Sequence, residues 1–109
     1  MLNIVSVNFP FLENKIKKAR PALCLTKPDG KHNLVVLAFI TTSTDTSKND
    51  VEILKTNEAF RKTGLKHNSV IKLNKLSSVS IENINGTIGT ISGNLEKEVK
   101  EKLRNMFGI

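Results

Sequence analysis

Lys17-Lys18-Ala19-Arg20-Pro21-Ala22-Leu23-Cys24-Leu25-Thr26 carries a cluster of positive charge that stops at Arg20, and an apolar run with strand character follows at once. Pro21 has no donor N–H, so it suits the first position of a strand or a sheet edge better than a strand centre. Arg20 therefore stands where a basic loop becomes rigid sheet. A guanidinium held there offers five donors in a planar fork that matches phosphate, and it stays charged at any biological pH. A second run, Leu34 to Thr42, follows the turn residues Lys27-Pro28-Asp29-Gly30-Lys31. Both runs are nearly continuous in apolar residues, which predicts that they form the centre of the sheet.

Asn3 to Phe9 alternates around Ile4, Val5, Val7 and Phe9 and predicts the opening strand, ended by Pro10. Phe11 to Ala19 is then a long loop carrying Lys15, Lys17 and Lys18. Ser43 to Asp50 is polar, and a mobile connection is expected there. A short strand at 51–54 is followed by one or two helical turns at 57–62, with Asn57 as N-cap and Gly64 as the stop. Ser69 to Leu76 alternates as a half-exposed strand with Lys72 and Asn74 on its polar side; 79–84 reads as a crossover and 86–92 as the last strand. Glycines 86 and 89 mark a sharp bend or a close backbone approach. Asn94 is expected to cap one long helix with an apolar stripe of Leu95, Val99, Leu103 and Met106 or Phe107. The sum is one mostly β domain spanning 1–109, a small antiparallel barrel with a C-terminal α-helix.

Charge narrows the partners. Seventeen Lys and Arg against ten Asp and Glu give a formal +7, which favours a polyanion, nucleic acid before membrane. With no Trp, no Tyr and five Phe, an aromatic stacking platform is poorly supplied, so affinity should come from phosphate contacts and hydrogen bonds. The longest apolar run is far short of a membrane span, the N-terminus lacks a signal-peptide pattern, and the single Cys24 lies in an apolar run as a small hydrophobe; a cytoplasmic protein is expected. No metal-ligand spacing, phosphate-binding Gly-rich loop or Gly-x-Ser-x-Gly elbow is present, and no cofactor is expected. His32 and His67 read as surface histidines.

If the two central strands pair through the Lys27–Asn33 turn, the start of one lies beside the end of the other. Arg20 then approaches Thr41, Thr42 and Ser43, under a loop bearing Lys15, Lys17 and Lys18. A guanidinium beside hydroxyls under a cationic loop is a phosphate site. For RNA the same set can do chemistry without a metal, because the ribose 2′-hydroxyl is an internal nucleophile to be aligned while charge on the phosphorane is stabilised.

At these residues the sequence resembles the MazF/PemK-like family of type II toxin–antitoxin ribonucleases. The resemblance runs through Ile4-Val5-Ser6-Val7-Asn8-Phe9-Pro10-Phe11, Arg20-Pro21-Ala22-Leu23-Cys24-Leu25, Ile40-Thr41-Thr42, Thr63-Gly64-Leu65-Lys66-His67-Asn68-Ser69-Val70-Ile71-Lys72-Leu73 and Ile88-Gly89-Thr90-Ile91-Ser92. It implies an SH3-like barrel and a homodimer that cleaves single-stranded RNA at short motifs to leave a 2′,3′-cyclic phosphate. It also implies a cognate antitoxin that binds through an extended acidic segment. The family's catalytic Arg and Thr fall on Arg20 and Thr41; Lys15, Lys17, Lys18, Thr42, Ser43, Lys72 and Asn74 are the expected RNA contacts. Asn74 stands where the family usually has an acidic residue, Lys15 where some members carry Glu, and the customary Gly-Asp before the first strand is missing. Two alternatives follow: a non-cleaving RNA- or antitoxin-binding relic, suggested by Asn74, and a CcdB-like gyrase inhibitor. The latter fold ends in Trp-Gly-Ile, against Phe107-Gly108-Ile109 here.

Overall fold

The computed structural model describes residues 2–8, 19–43 and 45–109. Six strands, β1 (Leu2–Val7), β2 (Arg20–Cys24), β3 (Leu34–Thr41), β4 (Asp50–Ile53), β5 (Ser69–Ser80) and β6 (Ile84–Ile91), form one sheet in the order β4-β5-β3-β2-β1-β6. Every pairing is antiparallel. A short helix α1 (Phe60–Thr63) and a long one α2 (Gly93–Phe107) complete the chain. The expected architecture is therefore present, with β2 and β3 at the centre of the sheet.

Their central place explains the continuous apolar runs, because the sheet is covered on both faces. One face buries Ile4, Leu23, Ala38, Ile40, Val51, Ile53, Ile71 and Leu73 against Leu95 and Val99 of α2. The other gathers Val5, Val7, Ala22, Val35, Leu37 and Val79, with Cys24 and Phe39 partly buried beside them. Leu103 and Met106 continue the α2 stripe half-buried, whereas Phe107 is exposed.

Several boundaries differ from the sequence reading. The connection to β6 is a crossover as expected, because β6 pairs with β1 and not with β5, but β5 itself runs on to Ser80, leaving only a 3-10 turn at Ile81–Asn83 between the two strands. The flanking pairs Leu34↔Ser80 and Val35↔Val79 show why: β3 is long enough to hold β5 in register to its end. Asn94 lies inside the first turn of α2, whose N-cap is Ser92. Asn57 accepts the Ala59 N–H at 2.8 Å, a turn ahead of α1 rather than its cap, while Gly64 ends that helix in the left-handed conformation as expected. Gly89 does mark a close approach: a Cβ there would overlap the backbone of Lys62 and Thr63 at the end of α1.

Candidate active site

The register between the central strands decides where the chemistry-bearing residues lie. Ala22 faces Phe39, Leu23 faces Ala38 and Cys24 faces Leu37. Carrying the same ladder two residues towards the strand ends brings Arg20 level with Thr41. Val7 stands opposite Arg20 on one side; Val70 stands opposite Thr41 on the other, and Glu52 opposite Val70. Directly opposed residues point to the same face, so Arg20, Thr41, Val70 and Glu52 form one row across β2, β3, β5 and β4, with about 4.8 Å between strands.

Thr41 is half-buried and its Oγ1 accepts the N–H of Ser43 at 3.1 Å. That bond fixes the oxygen while leaving the hydroxyl proton available to donate. Arg20 is exposed, and no carboxylate among the described residues pairs with it. Thr42 and Ser43 are exposed just past the strand end, and the Ser43 Oγ accepts the Asp45 N–H in a weak 3.4 Å contact. The expected contacts Lys15, Lys17 and Lys18 lie outside the described residues.

Lys72 does not stand free for a ligand. Its Nζ donates to Asp50 Oδ2 at 2.7 Å and to the Asp45 carbonyl at 2.8 Å, and the side chain is 15 % exposed. Asp50, only 3 % exposed, is the hub of the segment expected to be mobile. Its Oδ2 also accepts the Ser47 N–H at 2.7 Å, and its carbonyl accepts Lys102 Nζ of α2 at 2.6 Å. Burial alone would raise the Asp50 carboxyl pKa; the Lys72 ammonium and the Ser47 amide outweigh it and hold the carboxyl below its ordinary range. Asp50 Oδ1 is buried without a hydrogen-bond partner among the described residues. Four hydrogen bonds thus fix the β3–β4 segment that follows Thr41.

Asn74 is exposed in the Leu73–Lys75 stretch that drops out of the ladder where pairing jumps from Phe39↔Lys72 to Ala38↔Leu76. Cys24 is half-buried, its Sγ 3.3 Å from the Thr26 carbonyl; burial pushes its thiol pKa up, and the Thr26 backbone opposes this by less. Among the described residues no group of three His, Cys, Asp or Glu is placed to hold a metal, and no helix is long and apolar enough to cross a membrane.

Beside the row lies a small cavity of about 150 Å³, lined by Thr42, Ser43, Glu52, Leu54, Asn68 and Val70 among others. Glu52 and Asn68 were not foreseen as site residues. The alternation of Glu52 between Val51 and Ile53 put it on a polar strand face, but which face needs the β4–β5 register.

The chain matches the family model described as PemK-like, MazF-like toxin of type II toxin–antitoxin system over residues 2–107. Among solved structures it is similar to the Mycobacterium tuberculosis toxin MazF-mt6 (TM-score 0.72, 23 % identity, 98 % of this chain and 97 % of that one). It is also similar to an endoribonuclease in complex with its cognate antitoxin from a mycobacterial species (TM-score 0.70, 13 % identity, 98 % and 92 %). A third, an Mtb toxin, aligns with TM-score 0.67 and 20 % identity over 94 % and 97 %. No curated protein matches the chain. These structures share its fold, and the family match over nearly all of the sequence adds what fold alone does not: the chain belongs to the PemK-like, MazF-like family of type II toxin–antitoxin toxins.

Proposed function

We propose that this toxin is an endoribonuclease that cuts single-stranded RNA at the Arg20–Thr41 edge. The observation that carries the reading is the β2–β3 register, which, continued two residues to the strand ends, sets Arg20, unpaired among the described residues, level with a hydroxyl whose oxygen accepts the Ser43 N–H. Arg20 clamps the non-bridging oxygens of one phosphate in a charge-assisted, bidentate contact that strengthens as the phosphorane gains charge. Thr41 donates to a phosphate or ribose oxygen and orients the linkage. The 2′-oxygen forms a bond to phosphorus while the bond to the 5′-oxygen breaks. One proton leaves the 2′-hydroxyl and one reaches the 5′-oxygen, so the products are a 2′,3′-cyclic phosphate and a 5′-hydroxyl, with no water consumed and no metal required.

The partners follow from the same reading: single-stranded RNA, a second copy of the chain, and a small acidic antitoxin that blocks the basic edge, all in the cytoplasm. The test uses an RNA oligonucleotide that the protein cuts and a copy with one deoxyribose at the cleaved nucleotide, both in a chelator. Cleavage of the first to a cyclic phosphate and survival of the second is expected. Cleavage of the deoxy copy at the same linkage would remove the mechanism.

A further inference from the structure

The Arg20–Thr41–Val70–Glu52 row continues past the phosphate-binding pair into the cavity, and its lining has a definite hydrogen-bonding pattern. Glu52 and Asn68 lie on one face, each two residues or one strand away from Val70 and Leu54 on that same face. Val70 and Leu54 supply an apolar surface of the kind a flat ring covers. Asn68 Oδ1 accepts the Lys55 N–H at 2.7 Å, which assigns the amide and leaves its NH2 to donate. Glu52 is exposed and offers two acceptors. The cavity thus presents two carboxylate acceptors and an amide donor.

Of the four RNA bases, guanine alone has the matching Watson–Crick edge, with two adjacent N–H donors, N1 and N2, next to the O6 acceptor. Adenine and cytosine each set an acceptor beside one amino group, and uracil has a single N–H between two carbonyls; a carboxylate leaves acceptors facing acceptors in all three. Single-stranded RNA is read on this edge once a base is splayed from its neighbours. Thr41 to Glu52 is two strand spacings, about 10 Å, which suits the reach from a nucleotide's phosphate to its pairing edge. Thr42 and Ser43 wall the cavity on the side of Thr41, and the tether from Asp50 and Lys72 to Asp45 and Ser47 holds that wall in place.

We propose that this cavity is a guanine subsite, with Glu52 and Asn68 as specificity-determining residues, next to the linkage that is cut. The inference rests on the ribonuclease reading for its biological use, but not for its test. The 3′- and 5′-monophosphates of the four nucleosides are titrated against the purified protein, with inorganic phosphate as reference. In one of the two series the guanosine compound should bind roughly tenfold or more tighter than the other three, the discrimination expected of one good bidentate contact. Glu52→Gln, an exposed change compatible with folding, should remove that preference and leave inorganic phosphate binding unchanged. Equal binding of the four, no binding, or a guanosine preference that survives Glu52→Gln would each overturn the subsite. Mapped cuts on a long RNA separate the two readings. Intact RNA with a retained guanosine preference sinks the nuclease alone, whereas cleavage without guanosine at the cut sinks the subsite alone.

Discussion

A lysine at position 20 would keep the charge but lose the planar fork with which the proposed mechanism has Arg20 grip two phosphate oxygens at once. Arg20→Lys should therefore lower the single-turnover rate on the order of a hundredfold while weakening RNA binding by much less, since the loss falls on charge developing in the transition state. A parallel fall in binding and rate would show that Arg20 only attracts the strand. Cys24 is expected to react slowly: with its thiol pushed up by burial, alkylation at neutral pH should be well below that of the unfolded chain, and equal rates would contradict the half-buried placement. That Arg20 and Thr41 lie at neighbouring strand ends was legible because the turn at 27–33 makes the two strands antiparallel neighbours, and nothing more distant is needed to bring those ends together. Asp50 and Lys72 were not, since their contact depends on the register of β4 with β5, which turns on tertiary packing.

At the level of elements, the β3–β4 segment is held by one residue, Asp50, whose carboxylate accepts from Lys72 and the Ser47 N–H and whose backbone carbonyl accepts from Lys102. Asp50→Asn leaves the Lys72 ammonium largely buried without its counter-charge and should cost about 3 kcal/mol of stability at neutral pH. The folded-state pKa of Asp50 is lowered, so its contribution is present above the ordinary carboxyl value of 3.8 and is lost as pH falls through the folded value. Denaturant melts should show the gap between wild type and Asp50→Asn full at pH 7 and shrinking below about pH 4; a gap that does not change with pH would show that Asp50 is not acting as a charged group. Gly89→Ala should destabilise for a different reason, by driving a methyl into the α1 backbone, typically 1–3 kcal/mol. Urea midpoints measure it, and an unshifted midpoint would mean that β6 and α1 separate freely. Strand cores and the α2 stripe were readable from periodicity. The end of β5 was not, because Ser77, Ser78 and Ser80 look like a loop and are strand only through their pairing with β3.

For the whole molecule, the formal charge of +7 and the exposed Arg20 edge predict binding to single strands dominated by phosphate contacts. The logarithm of affinity should fall with the logarithm of salt at about −0.7 per phosphate neutralised, and a flat dependence would point to base contacts alone. The most direct test of the account asks whether Arg20 and Thr41 act on the same linkage. Single-turnover cleavage of one RNA by wild type, Arg20→Ala, Thr41→Ala and the double variant forms a thermodynamic cycle. Two groups gripping one phosphorane should be strongly non-additive, with the double variant little slower than the slower single one. If the two losses multiply as for independent sites, the guanidinium and the hydroxyl do not share a phosphate.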